Sequence, residues 1–441
     1  MNTRELRQAA RLIWEAALKA ANPATCIPTF LQLNENALTV GGRRIEIRGR
    51  LFVIGAGKPS AKMAQVVEEI LGSLITNGLI VTKYGHGLPL RRMKLVEAGH
   101  PIPDSAGLRA VHEIRELLRG LSKDDIVLVL ISGGGSALWP ASAEGITLEE
   151  KQEVTQLLLR SGANIRELNA VRKHLSAIKG GQLAKWASPA HVISLIMSDV
   201  IGDPVDFIAS GPTAPDTTSF SDALAIIQKY GLDVPKAVLE RFRQGARGNI
   251  PDTPKPGDPV FKNVDNYVIA NNRLLVDAAV DTARELQFNT LILGTEVEGE
   301  AKDIGRFFAA ITRETAKTGN PLQPPACILA AGETTVTVRG HGTGGRNQEM
   351  ALAWAISMAA RPFSGQACFA SVATDGTDGP TSAAGGLVDP LTCSRAIELG
   401  LAPQQFLRAN DSSNFLKTTG DLIMTGPTQT NLADLQILLV G

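Results

Sequence analysis

RLFVIGAGKPSAKMAQVVEEILGSL (50–74) decides the fold. Its first third is an apolar, strand-length run that ends in glycines. Its remainder repeats apolar residues with a period near 3.6, and Pro59 stands near the first turn of the predicted helix. Strand, glycine turn and helix together open a βαβ unit. The same alternation continues on both sides. GLIVTKYG (78–85) and KLVEAG (94–99) read as strands, and SAGLRAVHEIRELLRGL (105–121) as a helix opened by Ser105. DIVLVLISGGGSALWP (125–140) runs from strand into a glycine loop. TLEEKQEVTQLLLRSG (147–162) is a helix with Thr147 and Glu150 in capping-box spacing. The stretch 164–187 is helical, broken near Gly180 and Gly181, and HVISLIMSDV (191–200) is a buried strand leading into a loop. Strands alternating with helices predict an α/β protein, a parallel sheet with helices on both faces.

NIPDTPKPGDPVF (249–261) carries Pro251, Pro254, Pro256 and Pro259. Neither a helix nor a central strand tolerates that density. The segment is therefore expected to be a linker between an N-terminal domain, 1–248, and a C-terminal domain, 262–441. Beyond it the rhythm resumes, with strands expected at 266–272, 290–295 and 368–376 and helices at 273–287, 300–319, 346–360 and 391–400. ETTVTVRG (333–340) alternates like a further strand.

The length of 441 residues suits two or three domains at about 150 residues each. Lys and Arg total 44, as do Asp and Glu. That balance argues against nucleic-acid and anionic-membrane partners. Cys26, Cys327, Cys368 and Cys393 lie far apart, with neither zinc spacing nor a disulfide framework, which predicts a reducing, cytoplasmic setting. The amphipathic start, MNTRELRQAARLIWEAALKAA, carries charges throughout and does not read as a signal peptide. The unusual number is 43 glycines, many of them clustered just after apolar runs.

In open parallel sheets ligands sit beyond the carboxyl ends of the strands. Five such loops are candidates. In GAGK, Gly55, Gly57 and Lys58 precede a helix N-terminus, an anion site by geometry, although Phe52 and Pro59 break a Walker A loop. Ser132, Gly133, Gly134, Gly135 and Ser136 form a nest able to cradle phosphate or carboxylate. Asp199 follows a buried strand and suits a general base or a magnesium ligand, whereas Asp203 and Asp206 read as turn formers. Gly344, Gly345 and Arg346 open a helix, and an arginine there opposes the helix dipole unless an anion is present. Asp375 and Asp378 on a glycine loop could share one Mg²⁺, or cap turns; Asp389 lies on the same loop. Arg172, Ser176 and Lys179 share one predicted helical face, either solvated or carboxylate-binding. The histidines form no metal motif, and each reads as structural. Glycine cradles, one Lys, one Arg and scattered carboxylates suit phosphoryl transfer, where the protein mainly positions groups and neutralises charge.

GAGK (55–58), SGGGSAL (132–138), NAVRKHLSAIKGGQLA (169–184), SDVIGDP (198–204), SGPTAPD (210–216), GGRNQE (344–349), ATDGTDGPT (373–381) and TGPTQTN (425–431) together resemble the glycerate 2-kinases of the MOFRL type. Members of this family in tartrate-utilisation clusters also carry the name hydroxypyruvate reductase. The resemblance spans nearly the whole chain. It implies a Rossmann-like three-layer N-terminal domain, a second α/β (MOFRL) domain, and an active site in the interdomain cleft. It implies that ATP and D-glycerate give ADP and 2-phosphoglycerate, with Lys58 and Arg346 as the catalytic pair. On this reading Asp199 or Asp375 orients or deprotonates the glycerate 2-hydroxyl or holds Mg²⁺, Arg172 or Lys179 takes the substrate carboxylate, and Mg²⁺·ATP lies over the glycine loops. The molecule is expected to be a monomer or homodimer with small-molecule partners only. An NAD(P)-dependent hydroxypyruvate reductase is the rival enzyme, disfavoured by the imperfect dinucleotide fingerprint and by VTKYG, which lacks the ribose-binding acid. A non-catalytic nucleotide sensor is the second rival.

Overall fold

The computed structural model describes residues 1–441. The chain forms two compact units: Cys26–Ile269, and Ala270–Gly441 together with Met1–Thr25.

The unit Cys26–Ile269 begins with a small antiparallel sheet, β1 (Leu31–Asn34), β2 (Ala37–Val40) and β3 (Arg43–Glu46). Its main sheet comprises β4 (Leu51–Ala56), β5 (Ile75–Lys83), β6 (Lys94–Ala98), β7 (Ile126–Ile131), β8 (His191–Met197) and β9 (Val264–Ala270), in the order β6-β5-β4-β7-β8-β9. The four pairings from β6 through β8 are parallel. From β4 the chain moves one way along the sheet to β5 and β6, then returns to β7 on the other side of β4. Right-handed crossovers in opposite directions put the helices Ser60–Leu71 and Ser105–Leu117 on opposite faces. This is the parallel sheet with helices on both faces that the alternating sequence predicts, and the Rossmann-like three-layer arrangement that the family resemblance implies. Phe52, Ile54 and Ala56 point into the core shared with Ala110, Val111 and Ile114 of the second helix. A further helical cluster, Leu148–Ser161, Ile165–His174, Phe220–Lys229 and Lys236–Ala246, packs around Phe220 and Phe242.

The other unit holds β10 (Asn289–Val297), β11 (Ala326–Gly332), β12 (Ala367–Ala373), β13 (Gly385–Val388), β14 (Leu422–Ile423) and β15 (Asp434–Val440). Their order is β10-β11-β15-β12-β13-β14. β15 inserts antiparallel between β11 and β12, so this sheet is mixed rather than parallel. Its main buried helix, Arg346–Ala359, packs against Ala301–Thr318 and stacks Trp354 on Phe369 at a centroid distance of 5.8 Å.

Three expectations change. The domain boundaries differ because the N-terminal helix Thr3–Ala20 buries Leu6, Ile13 and Trp14 and packs with Asn272–Glu285, while Arg7 bonds Asp389 and Asp421. Residues 1–25 thus join the late half of the chain. The proline-rich stretch 249–261 lies inside the Rossmann-like unit rather than linking two units. Thr253 Oγ1 donates to Asp216, His174 meets Asp252 at 2.8 Å, and Lys255 donates to Thr218. Finally, 333–340 is not a strand: after Gly332 only Thr335 bridges, to Glu300.

The two long helices of the mixed-sheet unit touch closely at Gly305, where a Cβ would stand 2.3 Å from the Met350 carbonyl oxygen. Gly305→Leu is expected to destabilise this unit by about 1–3 kcal/mol, seen as a lower midpoint in thermal denaturation. An unchanged midpoint would contradict the close packing.

Candidate functional site

The reversal of direction between β4 and β7 creates the crevice in which doubly wound sheets bind ligands. GAGK leaves β4 and SGGGS leaves β7 at that point, and their backbones lock together. Ser132 N–H donates to Ala56 O at 3.1 Å, and Lys58 N–H donates to Gly133 O at 2.9 Å. Gly57 has φ +148°, and a Cβ there would lie 1.7 Å from Ser132 Oγ, so only glycine permits the approach. Ser60 and Thr82 hydroxyls donate to the Gly57 carbonyl, and Thr82 also to that of Lys58. The backbone of Lys58 is therefore fixed, with its side chain half-buried. Gly55 lies inside β4, packed on Leu130, rather than in the loop itself.

Gly134, Ser136, Arg172 and Lys179 line one cavity of about 380 Å³, together with Lys151 and His100. Arg172 and Lys179 do not share a helix face, since the helix Ile165–His174 ends before Ser176 and Lys179. The turn that follows brings Lys179 back, where its Nζ donates to Ser136 O at 2.7 Å and to Ser136 Oγ at 3.0 Å. Ser176 faces away and donates to Ala141 O. Lys179 is only 3% exposed. Burial, reinforced by the neighbouring Lys151 and Arg172, pushes its pKa well below the usual lysine range. Burial and Arg172 bring Lys151 down to about 7, and burial alone lowers Arg172. No Asp or Glu lines the cavity. The contrast is Lys173 on the same helix, buried but paired with Asp206 and Asp216.

Asp199 is half-buried two residues beyond β8, at the same carboxyl edge of the parallel sheet as Lys58 and Ser132. Asp203 adopts φ +53°, a turn conformation, and Asp206 answers Lys173, so both serve the loop.

In the mixed-sheet unit, Gly345 caps the helix that Arg346 begins. Gly344 and Gly345 press against Ser412 and Asp378, leaving no room for a Cβ. The anion expected beside Arg346 is supplied by the chain. Asp434 receives Nε at 2.5 Å and Nη2 at 2.9 Å, and Glu333 receives Nη1 at 2.6 Å. Burial pushes Asp434 up to about 6 against the pull of Arg346, so it is ionised at neutral pH. Burial works against the Arg346 charge, but Asp434, Glu333 and Asp378 hold its pKa above the ordinary value.

Asp378 caps the start of the helix that Arg346 begins. Its oxygens accept from Asn347 N, Gln348 N and both side-chain amides, and burial raises its pKa. Asp375 accepts from Thr377 N–H and Oγ1. Asp389 pairs with Arg7 and Arg395. No group of three or more His, Cys, Asp or Glu is arranged to hold a metal ion.

Sequence reasoning missed Lys151, which sits in TLEEKQE and reads as part of a solvated face. It also missed Asp434, whose only signal is a carboxylate heading the apolar run LQILLV.

Residues 9–243 match the family described as Domain of unknown function (DUF4147), and residues 326–434 match the MOFRL family. The chain is 43% identical to the glycerate 2-kinase of Pyrococcus horikoshii, covering 98% of this chain and 96% of that protein. It is 41% identical to an Agrobacterium vitis protein provisionally named hydroxypyruvate reductase, over 99% and 94% of the two chains. The crystal structure of the Thermotoga maritima glycerate kinase superposes with a TM-score of 0.88 at 40% identity, covering 99% of this chain and all of that one. The chain therefore belongs to the family of glycerate kinases built from a DUF4147 and a MOFRL domain.

Proposed function

We propose that this chain is a glycerate 2-kinase, transferring the γ-phosphoryl group of ATP to the 2-hydroxyl of D-glycerate. The observation that carries the reading within the Rossmann-like unit is a cavity walled by the SGGGS loop and three cations that no carboxylate neutralises. A small hydroxy acid supplies the missing charge through its carboxylate, at Arg172 and Lys179. Such a cavity does not favour a nicotinamide cofactor, and the Lys58 loop lacks the acid that would bind a ribose. A kinase is also the activity named for the relatives in Pyrococcus and Thermotoga.

In the proposed reaction the glycerate 2-oxygen attacks the γ-phosphorus. The bond from that phosphorus to the β–γ bridging oxygen breaks, ADP leaves, and Asp199 receives the hydroxyl proton. Lys58 and Arg346 neutralise charge on the migrating group. Gly57, Ser132, Gly133, Gly134, Gly135 and Ser136 cradle nucleotide phosphates. Gly344 and Gly345 fix the start of the helix that carries Arg346. Asp434 grips Arg346 through Nε and Nη2 and Glu333 holds Nη1, which fixes the plane of the guanidinium. Magnesium, which would screen the nucleotide's charge, would meet Asp375 as its protein carboxylate; Asp378, saturated by amide donors, does not fit that role.

Lys58→Ala is expected to lower glycerate-dependent ADP release by about 10²–10³-fold in kcat. Arg346→Ala is expected to do the same and also to lower the melting temperature, since it strands the buried Asp434 charge at a cost of about 3–5 kcal/mol. Arg346→Lys restores part of the stability but little of the rate, because it loses the bidentate geometry. Near-wild-type turnover in both alanine variants would remove the pair from the mechanism. Oxidation of NAD(P)H by hydroxypyruvate, followed at 340 nm, is expected to be absent.

Asp434 titrates at about 6, so the Arg346 pair is intact above that pH and lost as pH falls through it. An acid limb in kcat near pH 6 is expected, and its disappearance in Asp434→Asn. An unchanged limb in that variant would assign it to another group.

A further inference from the structure

The cavity in the Rossmann-like unit gathers three basic side chains and no acid, more than a monocarboxylate can pair with. Lys151 Nζ donates to Ala141 O at 2.8 Å and to Pro140 O at 3.1 Å, which fixes it 9% exposed in the cavity wall. Lys179 is held to Ser136 in the same way. Carbonyl and hydroxyl partners orient an ammonium group but do not cancel its charge. Arg172 completes the group, the other titratable lining residue is His100, and no carboxylate lines the wall. Charged together at low dielectric the three would repel one another, so in the empty cavity the two lysines give up protons readily. One carboxylate relieves that repulsion only in part. A ligand with a carboxylate and a phosphoryl group carries two to three negative charges and matches the cluster.

Volume points the same way. About 380 Å³ lies at the low end of pockets for small organic molecules. Part of the wall is apolar, with Ile102, Leu148 and Leu159. A bare tetrahedral anion would leave that wall facing empty space.

We propose that this cavity binds a short phosphorylated hydroxy acid, and that Lys151 is the cation that distinguishes the phosphorylated acid from the unphosphorylated one. The inference rests on the reading of Arg172 and Lys179 as the carboxylate-binding pair. It adds that the cavity retains the product of the reaction, the acid after phosphoryl transfer, in preference to the substrate. Lys151 is here a specificity-determining residue, not one that touches the reacting atoms.

The test is isothermal titration of the full chain, wild type and Lys151→Met, with 2-phosphoglycerate, D-glycerate and inorganic phosphate as probes. Methionine preserves the length and burial of the lysine stem, and circular dichroism and the melting temperature check the fold. Losing one buried charge contact is expected to weaken 2-phosphoglycerate binding about 30-fold, and D-glycerate binding less than about 3-fold. In wild-type protein at pH 8, repeated in buffers of different ionisation enthalpy, binding of 2-phosphoglycerate is expected to take up protons. The sign follows from Lys151 and Lys179, whose pKa values burial and the neighbouring basic groups depress in the empty cavity and which the incoming anion recharges. Lys151→Met should lose a corresponding share of the uptake. Equal weakening of both acids, no weakening of either, or unchanged proton uptake would overturn the proposal. Inorganic phosphate binding as tightly as 2-phosphoglycerate would overturn the assignment to an organic acid. Glycerate-dependent ADP release by wild-type protein, measured alongside, is a separate readout. Its absence refutes the kinase reading, whereas its presence with unaltered product binding in the variant refutes only the role of Lys151.

Discussion

The contact between the loops that leave β4 and β7 is the constraint on which the Rossmann-like unit depends. The sheet changes direction between these strands, so their loops have no common helix to cover them and must support each other. They do so backbone to backbone, Lys58 to Gly133 and Ser132 to Ala56, with Gly57 placed where any side chain would overlap Ser132. This junction fixes Lys58 on one side and Ser136 on the other. Ser136 in turn anchors Lys179 and so shapes the cavity wall. A side chain at residue 57 would part the loops and disturb both features together.

The two units handle charge in opposite ways. In the mixed-sheet unit every strong charge near Arg346 has a partner in the chain: Asp434 and Glu333 for the guanidinium, and amide donors for Asp378. Replacing one member there disturbs folding as well as chemistry. In the Rossmann-like unit, Lys151, Arg172 and Lys179 have no carboxylate partners. Their repulsion is a destabilising feature that a bound anion relieves. Uncompensated burial of like charges is the arrangement expected where ligand, rather than protein, supplies the counter-charge.

Much of this was legible in the sequence, for physical reasons. The first sheet follows from apolar runs alternating with 3.6-period helices. The glycine loops follow from their position at strand ends, and the capping box of Thr147 and Glu150 forms as its spacing requires. What local pattern does not encode is which distant segment an amphipathic face will meet. The N-terminal helix is recognisable from its own residues, but its partner lies more than 250 positions away. The antiparallel insertion of β15 likewise depends on pairings set by the whole sheet. Proline density correctly excluded α-helix over 249–261, where only a 3-10 turn begins at Pro259, yet it said nothing of the side-chain bonds that hold the segment to its unit. Lys151 was invisible because a lysine among glutamates usually faces water; only the fold shows this one turned inward. Asp378 shows the converse, a loop carboxylate whose capping role needed the helix start at Arg346 in place.

The most direct test of the account is the identity of the product. Phosphorus and carbon NMR of a reaction containing the full-length protein, ATP, magnesium and carbon-labelled D-glycerate reads both transfer and position. The account predicts a phosphorus signal coupled to carbon 2 of glycerate, rising in step with ADP. Phosphate on carbon 3, or hydrolysis of ATP to free phosphate with glycerate unchanged, would contradict it.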